Sequence, residues 1–141
     1  MPANLKTIAV AACASVLALC AAAAMAHHSA AQFDFGQRVT IEGVVKKFNV
    51  TNPHTWAVVE ITDDKRGTRD AEYEGHSASH FYRAGYTRDL AKPGDKIAIL
   101  IAPRRDGEDG GFIQAFTVNG KTIGFGGLSP ETGRRSDGAS D

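Results

Sequence analysis

Residues 39–61 constrain the fold of this chain more than any other stretch, because they hold two strand patterns separated by a proline-containing turn. Val39 and Ile41 alternate with polar residues, but the alternation slips by one position after Gly43. A slip at glycine is typical of a strand that bulges and curves. A curved strand can serve two halves of a small barrel, whereas a flat strand cannot. This stretch therefore predicts a closed or nearly closed β-barrel.

The order of the remaining patterns indicates which barrel this is. The predicted elements after the first strand are strands at 55–62, 69–75, 96–102, 112–118 and 121–125, and a short helix at 77–84. Three strands, a helix and two further strands follow one another in an OB-fold, a five-stranded Greek-key barrel. We therefore predict an all-β, OB-fold-like barrel of five to six strands, with the helix between strands 3 and 4. An unrelated small barrel or sandwich is the alternative, and the position of the helix favours the OB-fold.

Strand alternation also assigns side chains to the two faces of the sheet. Ala71 and Tyr73 are predicted to point inward, with Glu74 outward. Trp56 is predicted to lie on the outer face of strand 2, where OB-folds stack ligands on aromatic rings. We expect Phe33 or Phe35, from the segment before the barrel, to cover this tryptophan.

The chain divides into four segments. Residues 1–26 are expected to be a cleaved export signal, because Lys6 precedes an uncharged apolar run that ends in the A-x-A pattern of residues 24–26. A membrane anchor is the alternative, but the run is alanine-rich and has no stop-transfer flank. Residues 27–37 form an arm, 38–126 the barrel, and 127–141 a small, polar tail predicted to be disordered. The expected location is the periplasm.

Charge and cysteine content exclude several classes of function. The chain has 16 basic and 16 acidic residues, and the predicted signal contains only Lys6 among them, so the exported protein would be close to neutral. A near-neutral chain is not typical of a protein that binds nucleic acid or an anionic membrane. Cys13 and Cys20 both lie in the predicted signal, so the exported chain would have no disulfide. No catalytic serine or phosphate-binding motif is visible.

The histidines are the candidate metal ligands. Cleavage after Ala26 would make His27 the first residue, and a terminal histidine can chelate one metal ion through its α-amine and ring Nδ1. With His28 or His54 as a further imidazole, this nitrogen set suits Cu(II) better than Zn(II). We predict a copper or other late transition metal site at His27, His28 and His54. The alternative is a non-metal binding module in which Asn52 and Trp56 contact a small molecule or a periplasmic partner protein.

The sequence gives less support to two other interpretations of the histidines. His76 and His80 have the i,i+4 spacing of metal ligands. However, His76 is expected to precede the helix cap, so we predict that the pair lies on the surface. A copper oxidase or oxygenase would need an open metal position in a substrate groove, and the sequence indicates neither. We therefore expect metal handling and no catalysis.

Several motifs together resemble a known family. They are His27-His28-Ser29, Phe33-Asp34, Val44 to Phe48, Thr51 to Trp56, Arg83 to Asp89, Lys92 to Asp95 and Arg105 to Gly107. In these positions the chain resembles domain-of-unknown-function family 6152, a group of small exported bacterial proteins. The resemblance extends to about Lys121 and implies a periplasmic protein with no established activity. His27, His28 and His54 fall on motif positions. The segment between Gly75 and Tyr86 departs from the family pattern, which has tryptophan where Tyr86 stands, so His76 and His80 match no motif.

Overall fold

The computed structural model of the chain describes residues 30–133. The predicted export signal, His27 and His28 lie outside this range. Within it, no helix is long and apolar enough to cross a membrane. The strands are β1 Val39–Asn49, β2 Thr55–Asp63, β3 Gly67–Gly75, β4 Lys96–Pro103, β5 Gly111–Val118 and β6 Lys121–Gly124, and helix α1 is Ala78–Arg83.

The strands close into a barrel. They form one sheet in the order β3-β2-β1-β4-β5-β6, and β3 also pairs in parallel with β5, where Tyr73 faces Gly111 and Glu74 faces Phe112. This last pairing closes five strands, and β6 pairs antiparallel with the second half of β5. The helix lies between β3 and β4 in the chain. Strand order, closure and helix position confirm the predicted OB-fold arrangement.

Strand β1 belongs to both halves of the barrel, as its curvature predicts. Residues 39–44 pair with β4, and residues from Val44 onward pair with β2. The register shift lies between Val45 and Lys47, so the prediction of a bulge at Gly43 was wrong in position. Gly43 is required for a different reason. A Cβ atom there would lie 2.4 Å from the carbonyl oxygen of Glu60, because β1 and β2 approach closely at this point.

The core lies inside the barrel and is capped by α1. The inward faces follow the predicted alternation: the buried strand residues include Ala57, Val59, Ile61, Ala71, Tyr73, Ile97, Ile99 and Ile101. Phe81 of α1 is fully buried and packs against Phe48, Phe116 and Phe125, with ring centroids 5.0–6.2 Å away. Burial of one such ring contributes roughly 1.5–3 kcal/mol. The helix therefore closes one end of the barrel with its single buried side chain.

The segments flanking the barrel pack against it. The backbone of Phe33 forms a bridge with Arg104, and Phe33 is buried. The predicted disordered segment includes Pro130–Gly133, which forms a 3-10 helix that packs on β1, β4 and β5. The hydroxyl of Thr40 donates to the carbonyl oxygen of Pro130 at 2.7 Å. Thr40 pairs with the fully buried Leu100 of β4, so this part of the tail docks where β1 and β4 are paired.

Candidate functional site

The loop between β1 and β2, residues 50–54, is fixed to the start of α1. The backbone carbonyl of Thr51 and the side-chain oxygen of Asn52 both accept hydrogen bonds from the amide of Ala78, at 3.0 and 3.2 Å. The hydroxyl of Thr51 donates to the carbonyl of His54 at 2.9 Å, and the Asn52–Pro53 peptide is cis. Because the loop is held at both ends, His54 projects from a defined backbone and not from a free loop.

His54 is paired with a buried carboxylate. Its Nδ1 atom contacts Oε1 of Glu74 and is itself buried. The side chain of Glu74 is only 3% exposed, whereas that of His54 is 35% exposed. Burying a carboxylate is unfavourable unless a partner compensates the lost hydration. His54 and Glu74 therefore form one structural unit, in which the carboxylate fixes the orientation of the ring.

Glu74 is the site residue that the sequence did not reveal. Alternation along β3 predicts an outward side chain, and Glu74 does lie on the outer face, opposite Trp56 of β2 and beside Phe112 of β5. Alternation alone also predicts that the side chain of Glu74 is exposed. That prediction is wrong, because the side chain is 3% exposed. The burial comes from side chains that are distant in sequence, so no pattern within β3 could have shown it.

His76 and His80 lie at the same end of the barrel as this pair. The backbone carbonyl of His76 accepts a hydrogen bond from the amide of Thr55, next to His54, at 3.0 Å. The two rings stack with centroids 5.2 Å apart, and Nδ1 of His80 hydrogen-bonds to Oγ of Ser77 at 2.9 Å. The i,i+4 spacing thus brings the rings together, although His76 precedes the helix.

His76 is less exposed than the sequence predicted. Its ring packs against Phe112 and Phe125, with centroids 4.9 and 4.5 Å away. Burial lowers the pKa of His76, and the neighbouring charges of His80 and His54 lower it further when those rings are protonated. The prediction of two surface histidines therefore holds for His80 alone. His76 is partly buried because β5 and the segment after β6 supply aromatic cover.

The described histidines do not make a complete metal site among themselves. Residues 30–133 contain no group of three or more histidine, cysteine, aspartate or glutamate side chains placed to hold a metal ion. Of the predicted ligands, the structure places His54, at the end of the barrel beside β3. His27 and His28 precede the described residues. Any site of the predicted kind would therefore need donors from the segment before residue 30.

Trp56 lies on the outer face of β2, as predicted, and is 47% exposed. The expectation that Phe33 or Phe35 covers it is wrong. Both rings pack on Phe112 instead, with centroids 5.6 and 5.4 Å away. The reason is the bridge between Phe33 and Arg104, which directs this segment along the β5 side of the barrel.

A second charged cluster, at the β2–β3 hairpin, is internally neutralised. Arg69 bonds both Asp63 and Asp109, and Arg66 also bonds Asp109 at 2.7 Å. The backbone amide of Arg66 and the guanidinium of Arg69 lower the pKa of Asp63 to about 2. These residues have charge partners within the fold, and their ion pairs link the β2–β3 hairpin to the loop before β5.

Comparison with known proteins gives a family without a known activity. No curated protein matches the chain. Residues 13–114 match the model of DUF6152, which is described as a family of unknown function. This match spans well over half of the chain and includes all of β1 to β4 with the loop that carries His54. The chain therefore belongs to the DUF6152 family.

Proposed function

We propose that this protein binds copper, or another late transition metal, through His54 together with His27 and His28 of the exported chain. The proposal includes export to the periplasm and removal of residues 1–26, because His27 becomes a chelating terminus only after cleavage. The role we propose is metal handling, not catalysis. The observation that carries the proposal is the pairing of His54 with the buried Glu74.

Histidines that bind metals commonly direct their second ring nitrogen to a carboxylate, which fixes the ring and raises its basicity. His54 has this arrangement. Its Nδ1 is buried against Glu74 while the side chain remains 35% exposed, and we infer that the exposed part of the ring includes Nε2. Within residues 30–133, Nε2 of His54 has no hydrogen-bond partner. The unshared pair of Nε2 is thus available to a metal ion.

The segment before the barrel begins beside the histidines of the described chain. Phe33 is fixed against Phe112, and Phe112 also contacts the ring of His76. His27 lies six residues before Phe33 in the sequence. The proposal requires that this short segment bring His27 to His54.

The donor chemistry favours copper. The α-amine and Nδ1 of a terminal His27 form a chelate, and the imidazoles of His54 and His28 add nitrogen ligands, which Cu(II) binds in tetragonal geometry. The α-amine has a reference pKa of roughly 7.7–8.0. Copper can therefore displace its proton near neutral pH, and binding should release protons and weaken in acid.

A copper titration followed by electron paramagnetic resonance tests the proposal. The protein should be exported and processed so that His27 is the first residue, and a form with one extra N-terminal methionine is the control. We expect tight one-to-one binding and a nitrogen-rich tetragonal spectrum for the processed protein only. His54→Ala should weaken binding, whereas His80→Ala, at an exposed helical position, should not. Equal and weak binding by the processed and extended forms would refute the metal site.

The exposure of Trp56 favours a second candidate function, that of a binding module for a small molecule or a partner protein. OB-folds bind ligands on the face of strands 2 and 3, and Trp56 is 47% exposed on this face. It is the one tryptophan of the chain, so its fluorescence reports directly on an occupant of that face. This function predicts ligand-dependent fluorescence changes that are the same with and without processing at His27. It also predicts that binding measured by calorimetry is lost in Trp56→Ala.

A further inference from the structure

A cleft of about 340 Å³ lies between the end of β1 and the segment around α1. The residues that line it are Phe48, Asn49, Val50, Thr51, Tyr82, Tyr86 and Arg88. Its volume is within the range of small-molecule sites. It is separate from the proposed metal ligands, although Thr51 belongs to the same loop as His54.

Arg88 carries a positive charge that the fold does not compensate. It is exposed, lines the cleft, and makes no ion pair or hydrogen bond through its side chain with any of residues 30–133. Arg69 and Arg104 differ in this respect, since Arg69 bonds Asp63 and Asp109, and Arg104 bonds Asp106. Arg38 and Arg83 also lack such partners within the described residues, but neither lines the cleft. A guanidinium group presents a planar set of donors that fits a carboxylate in bidentate geometry.

Aromatic rings, neutral polar groups and Val50 form the rest of the cleft. Tyr86 is buried and stacks on Phe48 with centroids 5.7 Å apart, whereas Tyr82 is 44% exposed and lies 6.0 Å from Tyr86. Burial raises the pKa of the Tyr86 phenol, which therefore stays protonated at neutral pH. The amide of Asn49 can donate and accept hydrogen bonds, and the hydroxyl of Thr51, which donates to the carbonyl of His54, can still accept one.

We propose that this cleft binds a small hydroxylated carboxylic acid of the sugar-acid class. Arg88 would pair with the carboxylate, the exposed ring of Tyr82 would pack against the C–H face of the ligand, and Asn49 and Thr51 would bond its hydroxyl groups. A purely apolar ligand would cover Arg88 and Asn49 without bonding to them, which is unfavourable. The site does not depend on a metal ion, so its test is independent of the proposed metal-binding function.

The test is a titration of the isotopically labelled, metal-free protein with D-glucuronate, followed by backbone amide resonances. D-Glucose serves as the uncharged analogue and inorganic phosphate as an anion without a sugar ring. We expect glucuronate to shift the resonances of residues 48–51 and 82–88. Arg88→Gln should weaken this binding about tenfold or more, because it removes a charge-assisted hydrogen bond. Arg83→Gln is the matched control, since Arg83 is exposed at the end of α1 but does not line the cleft.

Three results would overturn the proposal. The first is the absence of glucuronate-dependent shifts at the cleft resonances. The second is equal binding of glucuronate by the Arg88→Gln and Arg83→Gln proteins, which would remove the proposed role of Arg88. The third is binding of glucose or phosphate that matches glucuronate, which would show that the combination of carboxylate and hydroxyl groups is not recognised. Resonance dispersion like that of the unmodified protein verifies that each variant is folded.

Discussion

The substitution Glu74→Gln tests whether the buried carboxylate orients the ring of His54 for metal binding. Glutamine keeps the size of the side chain and an oxygen that can accept from Nδ1, but it removes the negative charge. Loss of the carboxylate that contacts the second ring nitrogen of a metal-binding histidine commonly lowers metal affinity 10- to 100-fold. This range corresponds to about 1.4–2.7 kcal/mol. We expect an effect near the lower limit, because the amide oxygen can still orient the ring of His54.

Stability should change less than affinity in this variant. The charged partner of His54 is lost, which costs about 1 kcal/mol, but the desolvated carboxylate of Glu74, only 3% exposed, is lost too. The assay is competition for Cu(II) between the processed protein and a chelator of known affinity, combined with thermal unfolding. Glu72→Gln is the matched control, because Glu72 lies on the same strand and face but is exposed.

Comparison of the two variants distinguishes an effect of ring orientation at His54 on copper affinity from an effect of the overall charge of the protein. Equal losses of affinity in Glu74→Gln and Glu72→Gln would mean that net charge, not the contact with His54, controls binding. Unchanged affinity in Glu74→Gln, alongside a loss in His54→Ala, would refute the reasoning that the buried carboxylate prepares the ring.

Three further predictions concern the fold and its titrating groups. Gly43→Ala should destabilise the protein by about 1–3 kcal/mol, because its Cβ would lie 2.4 Å from the carbonyl oxygen of Glu60; an unchanged denaturation midpoint would contradict this close approach. Burial raises the pKa of Tyr73 to about 12, above the unfolded value of about 10, so stability should fall as pH rises between these values; urea denaturation should show the loss, and Tyr73→Phe should lack it. Burial lowers the pKa of His76, so its contribution to stability should be complete above the unfolded value of about 6.5 and decline below it; an imidazole resonance of His76 that titrates at or above this value would argue against its burial.

The elements of the barrel were predictable because their signals are local. Alternation placed Tyr73 inward and Trp56 outward, and Gly85, at φ +94°, follows the end of the helix as expected. The Asn119-Gly120 pair, with φ of 50° and 73°, forms the predicted tight turn between β5 and β6. Each signal depends on the backbone preferences of a few adjacent residues, so it does not require knowledge of the tertiary contacts.

The relations between distant segments were not predictable in this way. The sequence singled out His54 and the preceding turn, but it could not show that Glu74 is buried beneath this histidine. It also predicted that Phe33 or Phe35 covers Trp56, whereas both rings pack on Phe112. A bridge between two backbone segments decides this packing, and no periodicity within either segment encodes it.

The sequence by itself determined the class of fold, the order of its strands and the family motif that contains His54, because these depend on local alternation, turn residues and spacing. The tertiary structure decided which of those residues act together. The parallel pairing of β3 with β5 sets Glu74 beside Phe112, the docked loop brings His54 onto Glu74, and the end of β1 meets α1 to enclose the cleft with Arg88. Only the first relation follows from closure of the barrel, and the other two follow from the β2–β3 pairing and from the packing of α1 on β1. All three join groups that have no local influence on one another along the chain.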